Sequence, residues 1–202
     1  IPIHREVITM MKSLLKSVVA VMVLFMLDSS AWAAPSFKAG ESYNVLTALH
    51  VVRKNEVYWV NYTRGEQKIP PGAKVTVNSI DNKRVDFAWM GKVYRFDYKN
   101  NDAGAPVDEM LAKFFSKEDP TPKIKAMSEK AQAQISRGAT EGGMTKWQVL
   151  YSIGVPAYAG QSKTFNLRLK DVMSADQWIY HYNKFNRFTI RFANGKVQSR
   201  TE

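Results

Sequence analysis

From residue 43 to residue 98, apolar positions recur in short runs at a period of two, the pattern of strands whose successive side chains face opposite sides of a sheet. Five such runs, 45–52, 57–62, 73–80, 84–90 and 92–98, are rich in β-branched and aromatic residues. Turn chemistry separates them. Pro71 and Gly72 suit a type II turn, which needs a fixed φ followed by a positive one, and Asp81-Asn82-Lys83 and Met90-Gly91-Lys92 punctuate the next two hairpins. Val85, Phe87 and Trp89 share one face, as do Tyr94, Phe96 and Tyr98, so aromatic rings are expected to stack across that ladder. Five short strands in one stretch predict a small β-barrel.

The period then changes. Residues 99–107 are polar and turn-rich, and read as a linker. Residues 107–115 form a short helical candidate. Thr121-Pro122 opens a longer one, with a capping hydroxyl and proline at the first helical position. Ile124, Met127, Ala131 and Ile135 fall on one stripe of that helix, and Gly138 closes it. Thr145 and Gln148 have the spacing of a capping box, and Met144 can pack on Val149 as a hydrophobic staple. The helix they start runs to Ile153, where Gly154 permits a left-handed exit and Pro156 forbids continuation. Strands at 178–182 and 187–192 follow, and Asn194-Gly195 predicts a type I′ turn into a last strand at 196–199. The whole is predicted to be an α+β protein: a β unit over 34–98, a linker and short helix over 99–121, and an α+β module over 122–202.

The N-terminal pattern is of another kind. Lys12 and Lys16 lead into ten apolar or alanine residues from Val18 to Leu27, too few for the about 20 needed to span a bilayer. Behind them Ala31-Trp32-Ala33 places two small residues where signal peptidase recognises them, so cleavage is expected after Ala33 and residues 1–33 are expected to be removed. The expected destination is an oxidising compartment, a bacterial periplasm. Composition is consistent with that address. The 202 residues hold 29 Lys and Arg against 18 Asp and Glu, a net charge of +11, which favours anionic partners or surfaces. Export removes nucleic acid as the explanation of that charge. With no cysteine, disulfides, thiolate metal sites and cysteine nucleophiles are excluded.

Gly143-Met144-Thr145 with Gln148-Val149, Gly154-x-Pro156, Trp178-x-Tyr180, and Thr189-x-Arg191-Phe192 ending in Gly195-Lys196-Val197 recur in the order of the SmpA/OmlA family of BamE-like outer-membrane assembly lipoproteins. Over residues 135–199 the chain resembles that family. The resemblance implies two helices packed on a three-stranded antiparallel sheet, a periplasmic location at the outer membrane, and a binding scaffold rather than a catalyst. The chain departs from the family in holding no cysteine to lipidate, in its preceding β-rich segment, and in about twenty residues between helix and sheet. The β-rich segment itself resembles bacterial SH3-like modules, on strand count and on the Ile69-Pro70-Pro71-Gly72 turn before Lys74-Val75-Thr76-Val77.

Candidate chemistry is sparse. The chain has three histidines, His4, His50 and His181, with no second histidine at a metal-compatible spacing from either of the later two, so no metal or cofactor is expected. Asp102, Asp108, Glu109, Glu118 and Asp119 cluster near the linker, where helix starts favour them without any acid–base role. No glycine-flanked serine elbow and no phosphate-binding glycine pattern occurs. The expected activity is therefore binding, not catalysis. Phe188, Ile190 and Phe192 should face the core, which leaves Arg187, Thr189 and Arg191 outward beside His181 as the candidate partner-binding face. Trp178, Tyr180 and Tyr182 are expected in the core; were Ile179 to face the helices instead, they would lie on the open side. The expected partner is an envelope protein or an anionic envelope surface; the alternative is a cell-wall-directed SH3-like module that recognises peptidoglycan.

Overall fold

The computed structural model describes residues 36–81, 83–98 and 106–202. The expected export segment, Ala31 and Ala33 included, and most of the expected linker lie outside the described residues. Mixed α+β architecture is what the rest adopts.

Turn chemistry and alternation place the hairpins of the first half where the residues predict them. β5 (Lys74–Ile80), β6 (Arg84–Trp89) and β7 (Lys92–Asp97) form an antiparallel meander. Asp81 accepts from the backbone N–H groups of Lys83 and Arg84 through one carboxylate oxygen, and Met90 and Gly91 both take positive φ. Phe87 and Tyr94 lie directly opposite, stacked at 5.6 Å, a pair worth about 0.5–1.5 kcal/mol beyond its buried area. Gly72 has φ +83, as the type II turn requires.

The run at 45–52 departs from expectation by breaking in two. Leu46 N–H is taken by Phe114 O and Ala48 N–H by Leu150 O, and the Thr47 hydroxyl donates to Lys113 O, so the middle of the run is bonded to other segments instead of to a continuous ladder. Ser42–Val45 (β1) therefore joins β5, while Leu49–Val51 (β2) pairs with Gln67–Ile69 (β4), a strand the pattern did not announce. Glu56–Tyr58 (β3) ends early, where Asn61 turns the chain with φ +52. The main sheet has the order β3-β7-β6-β5-β1-β8, with Phe115–Ser116 (β8) at one edge and β3, parallel to β7, at the other. It is an open sheet, not a closed barrel.

The expected 107–115 helix stops after one turn, Val107–Leu111 (α1), because Phe115 pairs with Val45. The longer expected helix is two: Thr121–Lys125 (α2) and Glu129–Ser136 (α3). Thr121 sits inside the first turn and caps nothing; Asp119 takes its N–H instead, at 2.8 Å. Ser128 interrupts the run and caps α3. At the far end Gly138 donates to Ile135 O and Ala139 to Gln134 O, the paired bonds of a glycine-terminated helix. Lys68 adds a second cap there, its ammonium donating to the carbonyls of Ile135 and Ser136.

Lys146–Ile153 (α4) begins as its residues dictate. Thr145 Oγ1 accepts from Gln148 N–H at 3.3 Å, Gln148 Oε1 accepts from Thr145 N–H at 2.7 Å, and Met144 and Val149 are both buried. Gly154 leaves the helix at φ +82 and ψ −164, a region that only glycine occupies comfortably and not the left-handed helical one. The chain between helix and sheet is ordered: Tyr158–Ala159 (β9), Ser162–Lys163 (β10) and Leu169–Ser174 (α5). Gln177–His181 (β11), Arg187–Ala193 (β12) and Lys196–Thr201 (β13) follow as an antiparallel meander. The sheet thus has five strands, β10-β9-β11-β12-β13, where the family resemblance implies three. The reason is the free edge of β11, whose Ile179 and Gln177 carbonyls accept from Ala157 and Gly160 N–H.

Trp178 and Tyr180 are fully buried, with Phe188, Ile190 and Phe192 on the same side, so these two rings are core, whereas Tyr182, expected there with them, lies just past the end of β11 and is only half-buried. Buried side chains from Phe37 to Val197 belong to one continuous apolar cluster.

Candidate functional site

The site starts from one buried polar side chain. Asn61 is completely buried; its Oδ1 accepts from His50 N–H at 2.8 Å, and its Nδ2 donates to Ala48 O at 3.0 Å and Ile153 O at 3.3 Å. It ties β2 and the end of α4 to the loop that leaves β3. His50 Nε2 meets the same Ile153 carbonyl at 3.2 Å, and burial pushes its imidazole down to about 4. Anchored there, the loop crosses to the β11–β12 hairpin, where Thr63 N–H donates to His181 O and Arg64 N–H to Tyr182 O, and returns through Glu66 N–H to Val51 O.

Between this loop and the hairpin lies an open groove of about 630 Å³. Tyr58, Trp59, Tyr62 and Tyr182 supply rings, Arg53, Arg64 and Lys184 supply cations, and Glu66 and Asp97 supply carboxylates. Tyr58 and Tyr62 meet edge to face at 5.9 Å, and the Arg64 guanidinium lies 4.2 Å over the Tyr182 ring. Tyr58 donates to Glu56 at 2.7 Å, and that carboxylate, with burial second, pushes the phenol up to about 12. Tyr58 is therefore a neutral hydrogen-bonding ring at any physiological pH.

Arg187, Thr189 and Arg191 stand on β12 opposite His181, Ile179 and Gln177, with both arginines exposed and Thr189 half-buried. His181 differs from the surface residue its isolation predicts. Its ring stacks on Tyr158 at 6.1 Å and approaches Tyr62 at 6.5 Å, its Nε2 is enclosed without a hydrogen-bond partner, and burial, with the Arg187 charge second, lowers its pKa. Through His181 and Tyr62 the expected arginine face adjoins the groove.

Pairing sets these arginines apart. Arg84, Arg95, Arg137, Arg168 and Arg200 each lie against a carboxylate, of Asp81, Asp86, Glu141, Glu109 and Glu202. The other arginines among the described residues are Arg53, Arg64, Arg187 and Arg191, and none of them has a carboxylate of a described residue within ion-pair distance. All four are in the groove or on the adjoining strand face. Comparison with family models, curated proteins and solved structures finds no match. The site is therefore read from its own chemistry.

Arg53, Tyr58, Tyr62, Arg64 and Lys184 were not singled out by the sequence pattern. The one trace is an interleaving of aromatic and basic residues from Arg53 to Arg64, and only the hairpin from the far end of the chain turns it into a groove. Among the described residues no three His, Asp or Glu side chains converge as metal ligands, and no helix is long and apolar enough to cross a membrane.

Proposed function

We propose that this chain is an exported binding protein of the bacterial cell envelope, which engages its partner through the groove and the arginine face of β12. The observation that carries the reading is the segregation of unpaired arginines. Elsewhere the fold neutralises its guanidinium groups with its own carboxylates; here it leaves them open beside tyrosine rings, the combination enriched where binding energy concentrates. The address comes from the Val18–Leu27 run and the Ala31-Trp32-Ala33 sequence. A role at the outer membrane comes from the likeness of the α3 and α4 pair and the β11–β13 meander to the SmpA/OmlA module, with the open sheet of the first half as the counterpart of an SH3-like unit.

Photocrosslinking groups placed at Arg64 and at Arg187 in living cells test this. Both should yield one envelope protein adduct identified by mass spectrometry, and a group at Lys92, the exposed first residue of β7, should not. Equal labelling from all three positions, or none, would overturn the proposal. Arg187→Glu with Arg191→Glu should weaken capture while leaving the melting temperature unchanged. Sedimentation with purified sacculi that depends on Tyr58 and Tyr62 would favour the wall-directed alternative. The export step is checked by the mature N-terminus, expected at Ala34.

A further inference from the structure

The groove's mixed chemistry narrows its occupant. Its cations, Arg53, Arg64 and Lys184, are all exposed, yet Glu66 and Asp97 line the same depression. An anionic bilayer presents a plane of one charge: it cannot enter a concavity, and it would meet those carboxylates as like charges. An extended polypeptide answers each feature. It carries carboxylates for the cations, backbone N–H groups for the Glu66 carboxylate, and apolar side chains for the rings, and it threads an open groove at about 3.3 Å per residue.

Resting on the reading of this surface as a binding site, we infer that the groove receives an extended, acidic segment of a partner protein, with aromatic or aliphatic residues interspersed among Asp and Glu. Its carboxylates pair with Arg53, Arg64 and Lys184, and one of its apolar side chains lies against Tyr58 and Tyr62. Arginine suits this role because its planar fork holds a carboxylate through two parallel bonds. The groove is also held ready before binding. Its walls are joined by the Thr63 and Arg64 backbone bonds to β11 and its end, and the Arg64 guanidinium already rests on Tyr182. On the hairpin, Asn183 Oδ1 accepts from the N–H groups of Phe185 and Asn186, which fixes the segment that bears Lys184. Little ordering entropy then remains to be lost at binding. Arg187 and Arg191 extend the cationic track onto the neighbouring sheet face.

The test uses a fluorescent peptide of about twelve residues, enough to cross the groove at about 3.3 Å per residue, alternating Glu with Tyr and Leu. Its anisotropy is titrated with the purified chain, beside a peptide carrying Lys for Glu and beside phosphatidylglycerol vesicles. The acidic peptide should bind and the basic one should not. Arg64→Glu with Lys184→Glu should weaken binding about tenfold or more, whereas Lys74→Glu with Lys92→Glu, the same change in net charge on exposed residues that do not line the groove, should leave it unchanged. Tyr62→Ala should also weaken it, with no change in charge. Melting curves establish that each variant is folded. The inference is overturned if both charge-reversed pairs lose affinity equally, or if the vesicles bind in a groove-dependent way and the peptide does not. If the peptide fails while the crosslinks through Arg64 persist, the envelope-binding reading stands and the acidic-peptide inference falls.

Discussion

Replacing Asn61 by alanine removes the one side chain that satisfies three backbone groups of two other segments. Without it the buried His50 N–H and Ala48 C=O lose their partners, while Ile153 C=O keeps His50 Nε2. A stranded buried group costs about 1–3 kcal/mol, and alanine at φ +52 adds about 1 kcal/mol that asparagine largely avoids. The expected loss is about 3–7 kcal/mol, against a total stability of about 5–15 kcal/mol. At about 2–4 °C per kcal/mol for a chain of this size, the melting temperature should fall by about 15 °C. Urea denaturation of wild type, Asn61→Ala and Asn61→Gly separates the two causes. The glycine variant loses the same hydrogen bonds but not the backbone strain, so it should lie about 1 kcal/mol above the alanine variant. Because Asn61 anchors the loop that bears Tyr62 and Arg64, both variants should also weaken acidic-peptide binding at temperatures where they remain folded. Losses under 1 kcal/mol in both would refute the view that this side chain holds the loop in place.

His50 is buried neutral, its pKa near 4 in the folded chain against 6.5 when unfolded; the unfolded state thus binds more protons between those values, and stability should fall by about 3 kcal/mol as pH drops from 6.5 to 4. Denaturation across that range should show His50→Gln losing less with acid than wild type, and parallel losses would refute the assignment. A Cβ at Gly154 would lie 2.0 Å from Ala48 O and 2.1 Å from Asn61 Nδ2, so Gly154→Ala should fail to yield folded protein, whereas Gly160→Ala, at φ +59 with nothing within 4 Å, should cost only about 1 kcal/mol by urea titration. Met90 is 80% exposed at φ +49 in a two-residue hairpin turn, so Met90→Asn should raise stability by about 0.5–1 kcal/mol in thermal melts; a lower melting temperature would count against the turn assignment.

The features legible in the residues are those whose partners sit a few positions away. The Thr145–Gln148 box, the Gly138 terminus, the positive-φ turns at Met90-Gly91 and Asn194-Gly195, and the burial of Phe188, Ile190 and Phe192 all follow from local geometry and period. Where expectation and structure part, a distant segment competes for the same backbone groups. Leu150 and Phe114 carbonyls divide the 45–52 run, the edge of β11 recruits residues 157–160, and Phe115 leaves its helix for Val45. The arginine face of β12 was visible from alternation alone, but the groove was not. Its two walls come from residues 52–66 and 182–184, more than a hundred positions apart, and nothing in either stretch encodes the other. Local stereochemistry acts over one turn of chain, whereas a concave surface exists only after the chain has closed on itself, when the backbone donors of Thr63 and Arg64 find their acceptors on a hairpin at its opposite end.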